Sequence, residues 1–584
     1  MQPNTNPTPY LAGLSRELIR IQTRGIGMMG YGMLHNRAEG MASDLFVRAC
    51  SLVDQAGHRL VFVNAEICFI TLAIRSAVLD NLQQRAPEAD VREENLVLTA
   101  QHTHSAPGGY SHYFFYNVTI PGFQPEVFEA IVAAIVEAVL SAIAHEAPAE
   151  LEYVHGAFPA EKEVGFNRSL TAYNQNPEVK KYSPYETHLA IDRQMYLLRV
   201  LSPAGKLRGV LNWFGVHATS IGPDNCRISS DNKGYAARYL EQKFHQASQD
   251  TEFVGIFAQG AAGDVSPNFY GKGLNWPKGK FEDDFESARY NGRLQYEQAL
   301  SLLEKPGKRL SGELHSEMVY ADFSKIDCDP QFTGGKTGCH TAPAAHGVAF
   351  FKGTAIDGKG VSDLAGSLLS ALSRNLRKSE IKKAKAVSNE QTDKILAKYQ
   401  AQDPKEILID GGERRFLGIS ELKNLPVPDF LEPVIAELKR LHRIGAIEEH
   451  SWVPQVLPVQ VAQVGEICIA AVPGEITTVA AQRLRASLEH ELKPLGIETT
   501  IVSSYANAYQ GYISTAEEYQ IQNYEGGHTI FGKWTLAAFQ TVFKQLAIAL
   551  KSSAAEAQLD KDLRPPVFSE RELALRTYSE KATS

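Results

Sequence analysis

The chain has 584 residues, a formal net charge of −8, and 44% hydrophobic and 22% charged residues. These values are ordinary for a globular protein, and they exclude a disordered, collagen-like or coiled-coil chain. The acidic balance argues against nucleic-acid binding, so we expect no nucleic-acid partner. The length permits one large domain or two or three smaller ones.

The amino terminus lacks the basic start and apolar run of a signal peptide. The expected location is therefore the cytoplasm, or outside the cell if a leader was removed. Glu129 and Glu137 interrupt the most apolar segment, 126–145, so we expect no transmembrane segment. The six cysteines are scattered without a C-x-x-C pair, which excludes a zinc ribbon and favours buried, reduced thiols.

Short apolar runs followed by turn-rich loops recur along the chain. Strands are predicted at 59–63, 95–100, from 211 onward, at 252–258 and at 455–472, the last interrupted by Pro458; helices are predicted at 126–145, 234–246 and 477–492. The charged stretch 374–406 is predicted to be a solvated helix or an exposed connection, and it is the only candidate internal boundary. Strands that alternate with helices predict an α/β fold, with mixed sheets and flanking helices in one large domain over residues 1–584.

Two histidine positions are candidates for a metal site. His102 and His104 follow the predicted strand 95–100, and residues i and i+2 of an extended chain project to one side, so both rings can enter one pocket. The alternative is two polar residues in a surface loop. His217 follows another predicted strand. A lone histidine there is usually structural, but it converges with the first pair if the strands end on one side of the sheet.

Ser266 and Glu475 also lie in loops that follow predicted strands. The loop of Ser266, GAAGDVSPN, is neither a P-loop nor a G-x-S-x-G elbow, so this serine is either a turn residue or a nucleophile. Glu475 precedes a predicted helix, where the helix dipole alone favours a carboxylate. Five tyrosines cluster between Tyr505 and Tyr524, a pattern common in cores and rims. These residues alone indicate an α/β enzyme and make a histidine-based metal site a candidate, since the spacing between His102, His217 and Glu475 is too wide for a motif.

Taken together, the segments resemble the neutral (non-lysosomal) ceramidase family. The matching pieces keep the family's order from about Gly27 to about Leu536, and they are GMMGYGMLHNRAEGMASDLFVRA, LTAQHTHSAPGG, FNRSLTAY, SSDNKGYA, GAAGDVSPN, WVPQVLPVQV, AVPGEITTVAAQRLR and SSYANAYQGYISTAEEYQIQNYEGGHTIFGKWTL. The resemblance implies one catalytic zinc ion, with His102, His217, Glu475 and Tyr512 as its ligands. Nitrogen and oxygen ligands of this kind suit a catalytic zinc with an open position for water.

The resemblance also implies roles for four further residues. His104 is expected to be the acid–base partner that hands a proton to the leaving amine. Arg168 is expected to hold a substrate hydroxyl or the oxyanion, and Tyr524 is a second candidate for oxyanion stabilisation. Ser266 matches the serine that the family treats as catalytic, and it either attacks the amide or positions substrate and water.

The chain departs from the family pattern at Gln101, Ala106 and Ala218, and none of these positions is a proposed ligand. The family's further β-rich carboxy-terminal domain has no expected counterpart in 584 residues. The resemblance therefore supports the chemistry better than the substrate.

The function expected from this resemblance is a zinc amidohydrolase that converts ceramide to sphingosine and fatty acid. Its partner is a lipid-like N-acyl substrate, with transient contact to a membrane surface; the oligomeric state stays open. One alternative is the same scaffold acting on another acyl amide, an ester or a lactone. A second is a binding protein without turnover. A long apolar groove beside the metal favours ceramide, and a short closed pocket favours the other substrates.

Overall fold

The computed structural model describes residues 10–21, 25–248, 253–269, 279–354, 356–387, 389–420, 422, 433–551 and 557–578. Strands of four or more residues are β1 (Tyr10–Leu18), β2 (Phe46–Asp54), β3 (Arg59–Ala65), β4 (Leu96–Ala100), β5 (Ala147–Ala157), β6 (Gln194–Leu201), β7 (Leu207–Phe214), β8 (Val254–Gln259), β9 (Leu314–Asp322), β10 (Ile407–Asp410), β11 (Val456–Val464), β12 (Ile467–Ala471) and β13 (Thr499–Ser503). Helices of six or more residues are α1 (Leu72–Arg85), α2 (Pro125–Ala144), α3 (Asp231–Ser248), α4 (Asp284–Leu303), α5 (Asp363–Val387), α6 (Glu390–Ala401), α7 (Pro433–Arg443), α8 (Thr478–Leu492), α9 (Ala516–Ile521), α10 (Thr535–Lys551) and α11 (Glu570–Arg576).

Two mixed sheets form the centre of the fold. The larger sheet has nine strands in the order β8-β7-β6-β5-β1-β2-β3-β4, with Lys308–Arg309 paired beside β5. The smaller has the order β9-β11-β12-β13. Most neighbours are antiparallel, but the pairs β3–β4, β7–β8 and β12–β13 are parallel. The predicted α/β fold with mixed sheets is therefore confirmed.

The two sheets pack face to face, and helices cover their outer faces. The core between them joins Leu52 and Trp213 of the larger sheet to Ile469 and Ile501 of the smaller one. Helices α1 and α2 cover one half of the larger sheet and α3 and α4 the other half, while α8 and α10 cover the smaller sheet. Since β4 and β12 are buried on both faces, their sequences are apolar runs, interrupted only by Thr99 of β4, rather than alternating patterns.

Helix α2 is the central helix of the first outer layer. It meets the length and hydropathy of a membrane-crossing helix, with half of its most apolar window buried. It packs against β1, β2 and α1. One turn of its backbone lies directly over Gly13 of β1, where a Cβ atom would stand 1.8 Å from the carbonyl oxygen of Ala142. These contacts are those of a core helix.

One prediction of local structure needs correction, and a second is refined. Strand β11 runs through Pro458 without interruption, and the chain turns instead at Gly465, whose φ is +56°. Proline is tolerated because β12 pairs only from Gln460 onward, so beside Pro458 the strand has β9 as its single neighbour. The stretch 374–406 is largely exposed, as expected, but it forms two helices, α5 and α6, that pack onto β10.

The close approach of β1 and α2 predicts that Gly13→Ala destabilises the protein. The added methyl group clashes with main-chain atoms, which cannot rotate away, so we expect a loss of about 1–3 kcal/mol and a lower thermal unfolding midpoint. Gly40→Ala is the matched control, because a Cβ there meets nothing within 4 Å. Equal unfolding midpoints for the two variants would contradict this packing.

Candidate metal centre and active site

The candidate site lies at the edge of the sandwich where the parallel strand pairs of both sheets end. His102 and His104 follow β4, His217 follows β7, Ser266 follows β8, Glu475 follows β12, and Tyr505, Tyr509 and Tyr512 follow β13. Because the carboxyl ends of parallel strands meet at one edge, the segments after them converge although they are far apart in sequence.

The two histidines are oriented by backbone carbonyl groups. His102 adopts a left-handed backbone with φ +70°, and its Nδ1 lies 2.8 Å from the carbonyl oxygen of Cys68. Nδ1 of His217 lies 2.7 Å from the carbonyl oxygen of Ala262. A carbonyl oxygen only accepts hydrogen bonds, so each Nδ1 carries the proton and each Nε2 presents a lone pair. Burial lowers the pKa of His102 to about 4, which keeps its ring neutral at physiological pH.

Glu475 lies between these rings. Its carboxylate oxygens are 3.5 Å from Nε2 of His102 and 2.9 Å from Nε2 of His217. Tyr505 and Tyr509 donate hydroxyl hydrogen bonds to the same carboxylate at 3.1 and 2.5 Å. Burial raises the pKa of Glu475, but the neighbouring imidazoles and the Tyr509 hydroxyl outweigh it and hold the pKa well below its usual range.

Tyr512 is fixed by backbone pairing with the carboxylate residue. The parallel ladder of Glu475–Ile476 with Tyr512–Ile513 sets Glu475 beside Tyr512. The Tyr512 hydroxyl is 3.4 Å from Nε2 of His217. A two-residue ladder thus fixes the position of two of the four predicted ligands.

The donor set fits a divalent metal ion. Ligand atoms of His102, His217 and Glu475 all lie within 4.8 Å of one another, and all three residues are buried. Histidine ligands typically donate their second N–H to a carbonyl group, as both rings do here. The four predicted ligand residues are therefore assembled as a metal site requires, while their role as ligands stays a prediction.

His104 stands beside the proposed ligands. Its Nε2 is 3.0 Å from Nε2 of His102, and its Nδ1 has no hydrogen-bond partner within the described part of the chain. Its ring packs edge-on against Tyr31, and a Cβ at Gly30 would lie 2.3 Å from the ring. The glycine at position 30 thus lets the backbone form the wall behind this imidazole. Burial lowers the pKa of His104 well below its usual value.

Arg168 joins the metal site to a second group of polar residues. It donates to the Tyr512 hydroxyl at 2.8 Å, to the Glu525 carboxylate at 2.9 Å and to the Asp357 carboxylate at 2.8 Å. Its fourth hydrogen bond goes to the carbonyl oxygen of Gly263 at 3.0 Å. Arg168 is thereby held rigidly, with its charge directed at the place where Tyr512 meets His217.

Ser266 lies in the same group, fixed by pairing of Val265–Ser266 with Phe166–Asn167. Its hydroxyl donates to Asp357 at 2.6 Å. Asp357 also accepts from Asn268 at 3.2 Å and from Thr219 at 3.3 Å. One carboxylate, presented by a short hairpin of Gly353–Thr354 and Gly358–Lys359, therefore satisfies Arg168 and Ser266 together.

Tyr524 separates the site from a cavity. Its ring centre lies 5.5 Å from that of Tyr512, and the Arg168 guanidinium lies over the Tyr524 ring at 5.4 Å. The cavity beyond has a volume of about 540 Å³, and its lining includes Arg168, Lys352, Thr354, Ser370, Glu406, Gln520, Asn523 and Tyr524. Most of these residues are polar or charged.

The structure brings all eight predicted site residues to one place. Sequence reasoning missed Asp357 and Glu525, and it noted Tyr505 and Tyr509 only as part of a tyrosine cluster. Glu525 lies inside the matched segment NYEGG and was within reach of the same comparison. Asp357 stands in an ordinary turn sequence, AIDGKG, which carries no catalytic signal.

The chain matches the family model "Neutral/alkaline non-lysosomal ceramidase, N-terminal" over residues 10–423 and 434–541. This chain belongs to that family. The match covers the segments that hold all eight residues of the site, so the resemblance seen in short motifs extends over the whole of both sheets.

Individual relatives agree with the family match. The neutral ceramidase of Pseudomonas aeruginosa is 33% identical over 94% of this chain and 73% of its own length. The neutral ceramidase of Mycobacterium tuberculosis is 30% identical over 90% of this chain and 74% of its own length. A solved structure of a ceramidase complexed with C2 superposes with a TM-score of 0.77 at 32% identity, over 96% of this chain and 77% of that one.

A pair of buried carboxylates behind the site, Asp264 and Glu518, predicts an unusual pH dependence of stability. Burial raises the pKa of Asp264 to about 6 and that of Glu518 to about 7, and the neighbouring carboxylates act in the same direction. In the unfolded chain both groups titrate near pH 4. Between about pH 4 and 7 the folded protein thus binds more protons, and its free energy of unfolding falls as the pH rises.

Glu518→Gln removes one of these titrations. The thermal unfolding midpoint of the variant should therefore fall less than that of the unmodified protein between about pH 5 and about pH 7.5. Glu126→Gln, at an exposed position of α2, is the control and should leave the slope unchanged. An unchanged slope in Glu518→Gln would show that this carboxyl does not titrate in that range.

The geometry of the donors also predicts stoichiometric metal binding. Elemental analysis of the purified protein should find about one divalent ion per chain, because four neutral or anionic donors converge there. His102→Ala should lower this content more than tenfold, since each residue that binds the ion directly supplies a large share of the metal affinity. His145→Ala, exposed after α2, should not change it. Equal metal content in both variants would place the ion elsewhere.

Proposed function

We propose that the protein is a zinc-dependent ceramidase, which hydrolyses the N-acyl amide bond of ceramide to sphingosine and a fatty acid. The family match and the ceramidase relatives support the reaction class. The observation that carries the proposal is the convergence of His102, His217 and Glu475 within 4.8 Å, with Tyr512 and Arg168 on one side and His104 on the other.

Zinc is proposed because of the chemistry of the donors. Two imidazole nitrogens, a carboxylate and a phenol oxygen form a mixed nitrogen and oxygen set that zinc accepts readily, with no thiolate among the proposed ligands. A bound zinc ion supplies Lewis-acid polarisation of the amide carbonyl and lowers the pKa of water. All four residues are buried, so the site excludes bulk water around the reacting group.

The chain's own residues provide the remaining chemistry. His104 is neutral and has an unpartnered Nδ1, so it can take a proton from water and deliver it to the leaving amine nitrogen. The Arg168 guanidinium faces the place where negative charge develops on the carbonyl oxygen, and Tyr524 stands beside it. The Ser266 hydroxyl lies near the same Arg168 guanidinium, because both contact the Asp357 carboxylate. We propose that it positions substrate and water or attacks the amide, and the contact with Asp357 is compatible with both roles.

A second candidate is a related hydrolase that acts on another acyl amide, an ester or a lactone. The cavity beside Arg168 favours it, because Lys352, Glu406 and Asn523 bring charged and polar groups into a lining that is not uniformly apolar. The catalytic residues serve both substrates equally well, so only turnover separates the two.

Hydrolysis of a fluorescent short-chain ceramide tests the proposal. We expect turnover by the purified protein, loss of turnover on chelation and recovery on adding zinc, since the amide carbonyl is unactivated without the metal. His104→Gln should keep the zinc and lose about 10²–10⁴-fold in kcat, because the proton donor is removed while the ligands remain. Turnover that survives complete removal of metal would contradict the mechanism. Bound zinc without ceramide turnover would favour the second candidate.

A further inference from the structure

Helix α5 exposes a stripe of leucines to solvent. The exposed fractions of Leu364, Leu368 and Leu372 are 84%, 63% and 47%. Their spacing of four residues places them on one face, one above the other along successive turns. The face that packs on the protein holds its own apolar residues, Leu369, Leu376 and Ile381, beside the buried small residues Gly366, Ser373 and Ala384. The helix therefore has a second apolar stripe in addition to the one that packs on the protein, and an exposed apolar stripe of this kind marks an interaction surface.

The same helix is strongly basic at its carboxy-terminal half. Lys378, Lys382, Lys383 and Lys385 are exposed, and none of them forms a salt bridge with another residue of the described ranges. The helix has six basic residues against two acidic ones, although the whole chain has a net charge of −8. The positive charge is therefore a local feature of α5, which follows the apolar stripe along the helix.

Helix α5 also forms part of the wall of the cavity beside the proposed active site. Ser370 lines that cavity together with Arg168 and Tyr524. Gln520 and Gln522 also line the cavity, and Ile521 between them is 37% exposed. Ser370 is two residues from both Leu368 and Leu372, so the cavity lies against the opposite face of α5, about one helix diameter from the apolar and basic face.

We propose that α5 docks the protein on the surface of an anionic lipid bilayer. The three leucines enter the boundary between head groups and acyl chains, and the four lysines contact the anionic head groups. The cavity, on the other face of α5, is then held about one helix diameter from the membrane that supplies the lipid substrate. This inference rests on the proposed function for the substrate that the membrane supplies, but the docking itself is independent of turnover.

The observations favour a bilayer over a second copy of this chain. The stripe from Leu364 to Leu372 extends only about 12 Å along the helix. A stable homodimer typically buries about 800 Å² on each partner, which so short a stripe does not provide. Clustered lysines without acidic partners also match an anionic surface, whereas two copies of the same basic helix repel each other.

Vesicle sedimentation of the full chain tests docking directly. We expect the protein to bind phosphatidylcholine vesicles that contain about 30% phosphatidylserine, and to bind pure phosphatidylcholine vesicles more weakly. The triple variant L364S/L368S/L372S should lose about tenfold or more in partitioning, since the apolar contact is removed. The variant K378Q/K382Q/K383Q/K385Q should lose the preference for phosphatidylserine. Val567→Ser and Lys243→Gln, both exposed and elsewhere, serve as controls.

A second measurement separates docking from catalysis. On a short-chain ceramide dissolved as monomers, the leucine variant should keep the kcat/KM of the unmodified protein; on long-chain ceramide in vesicles, it should lose about tenfold. Vesicle binding by the leucine variant equal to that of the unmodified protein would overturn the proposal. So would a dimer in light scattering that the leucine variant converts to monomer. Normal vesicle binding with no turnover on either substrate would refute the proposed function and leave docking in place.

Discussion

The carboxylate of Glu475 is the interaction on which the site depends. A buried carboxylate is costly unless it is fully hydrogen-bonded or paired with a cation. Here two tyrosine hydroxyls and two imidazoles surround it, and each imidazole is held by a backbone carbonyl group. The histidines follow β4 and β7 of the larger sheet and both tyrosines follow β13 of the smaller one, so the carboxylate keeps its environment only when both sheets are in register. The proposed metal site is therefore also a constraint on how the two sheets pack.

The topology explains why residues from 102 to 525 in the sequence can share one site. Three parallel strand pairs end at the same edge of the sandwich, and short ladders beyond the strand ends fix the final positions of the side chains. Backbone hydrogen bonds in such ladders do not depend on the side chains that they carry. The scaffold can therefore hold a demanding set of polar groups at its edge, while the apolar cores on both sides of each sheet supply the stability.

The sequence predicted the fold class because β4 and β12 are short apolar runs and α2 has a clear helical period. It also named the site residues, but the resemblance to a family did this, since the spacing between His102, His217 and Glu475 is too wide for a local pattern. The predicted break at Pro458 was wrong. Whether a strand tolerates proline depends on which neighbouring strand pairs beside it, and this is a tertiary property. Asp357 could not be predicted, because its role arises only from where its hairpin meets Arg168 and Ser266.

That hairpin has a consequence for how the molecule responds to its surroundings. Asp357 occupies hydrogen-bonding positions on Arg168 and Ser266, and any ligand that needs the same positions must displace it. Only Gly360, Val361 and Ser362 separate the hairpin from α5. If a contact made by α5 shifts this hairpin, it also changes the free energy of displacing the carboxylate. Thermodynamic reciprocity then requires the occupant of the site to alter, by the same factor, the affinity of the protein for whatever α5 touches.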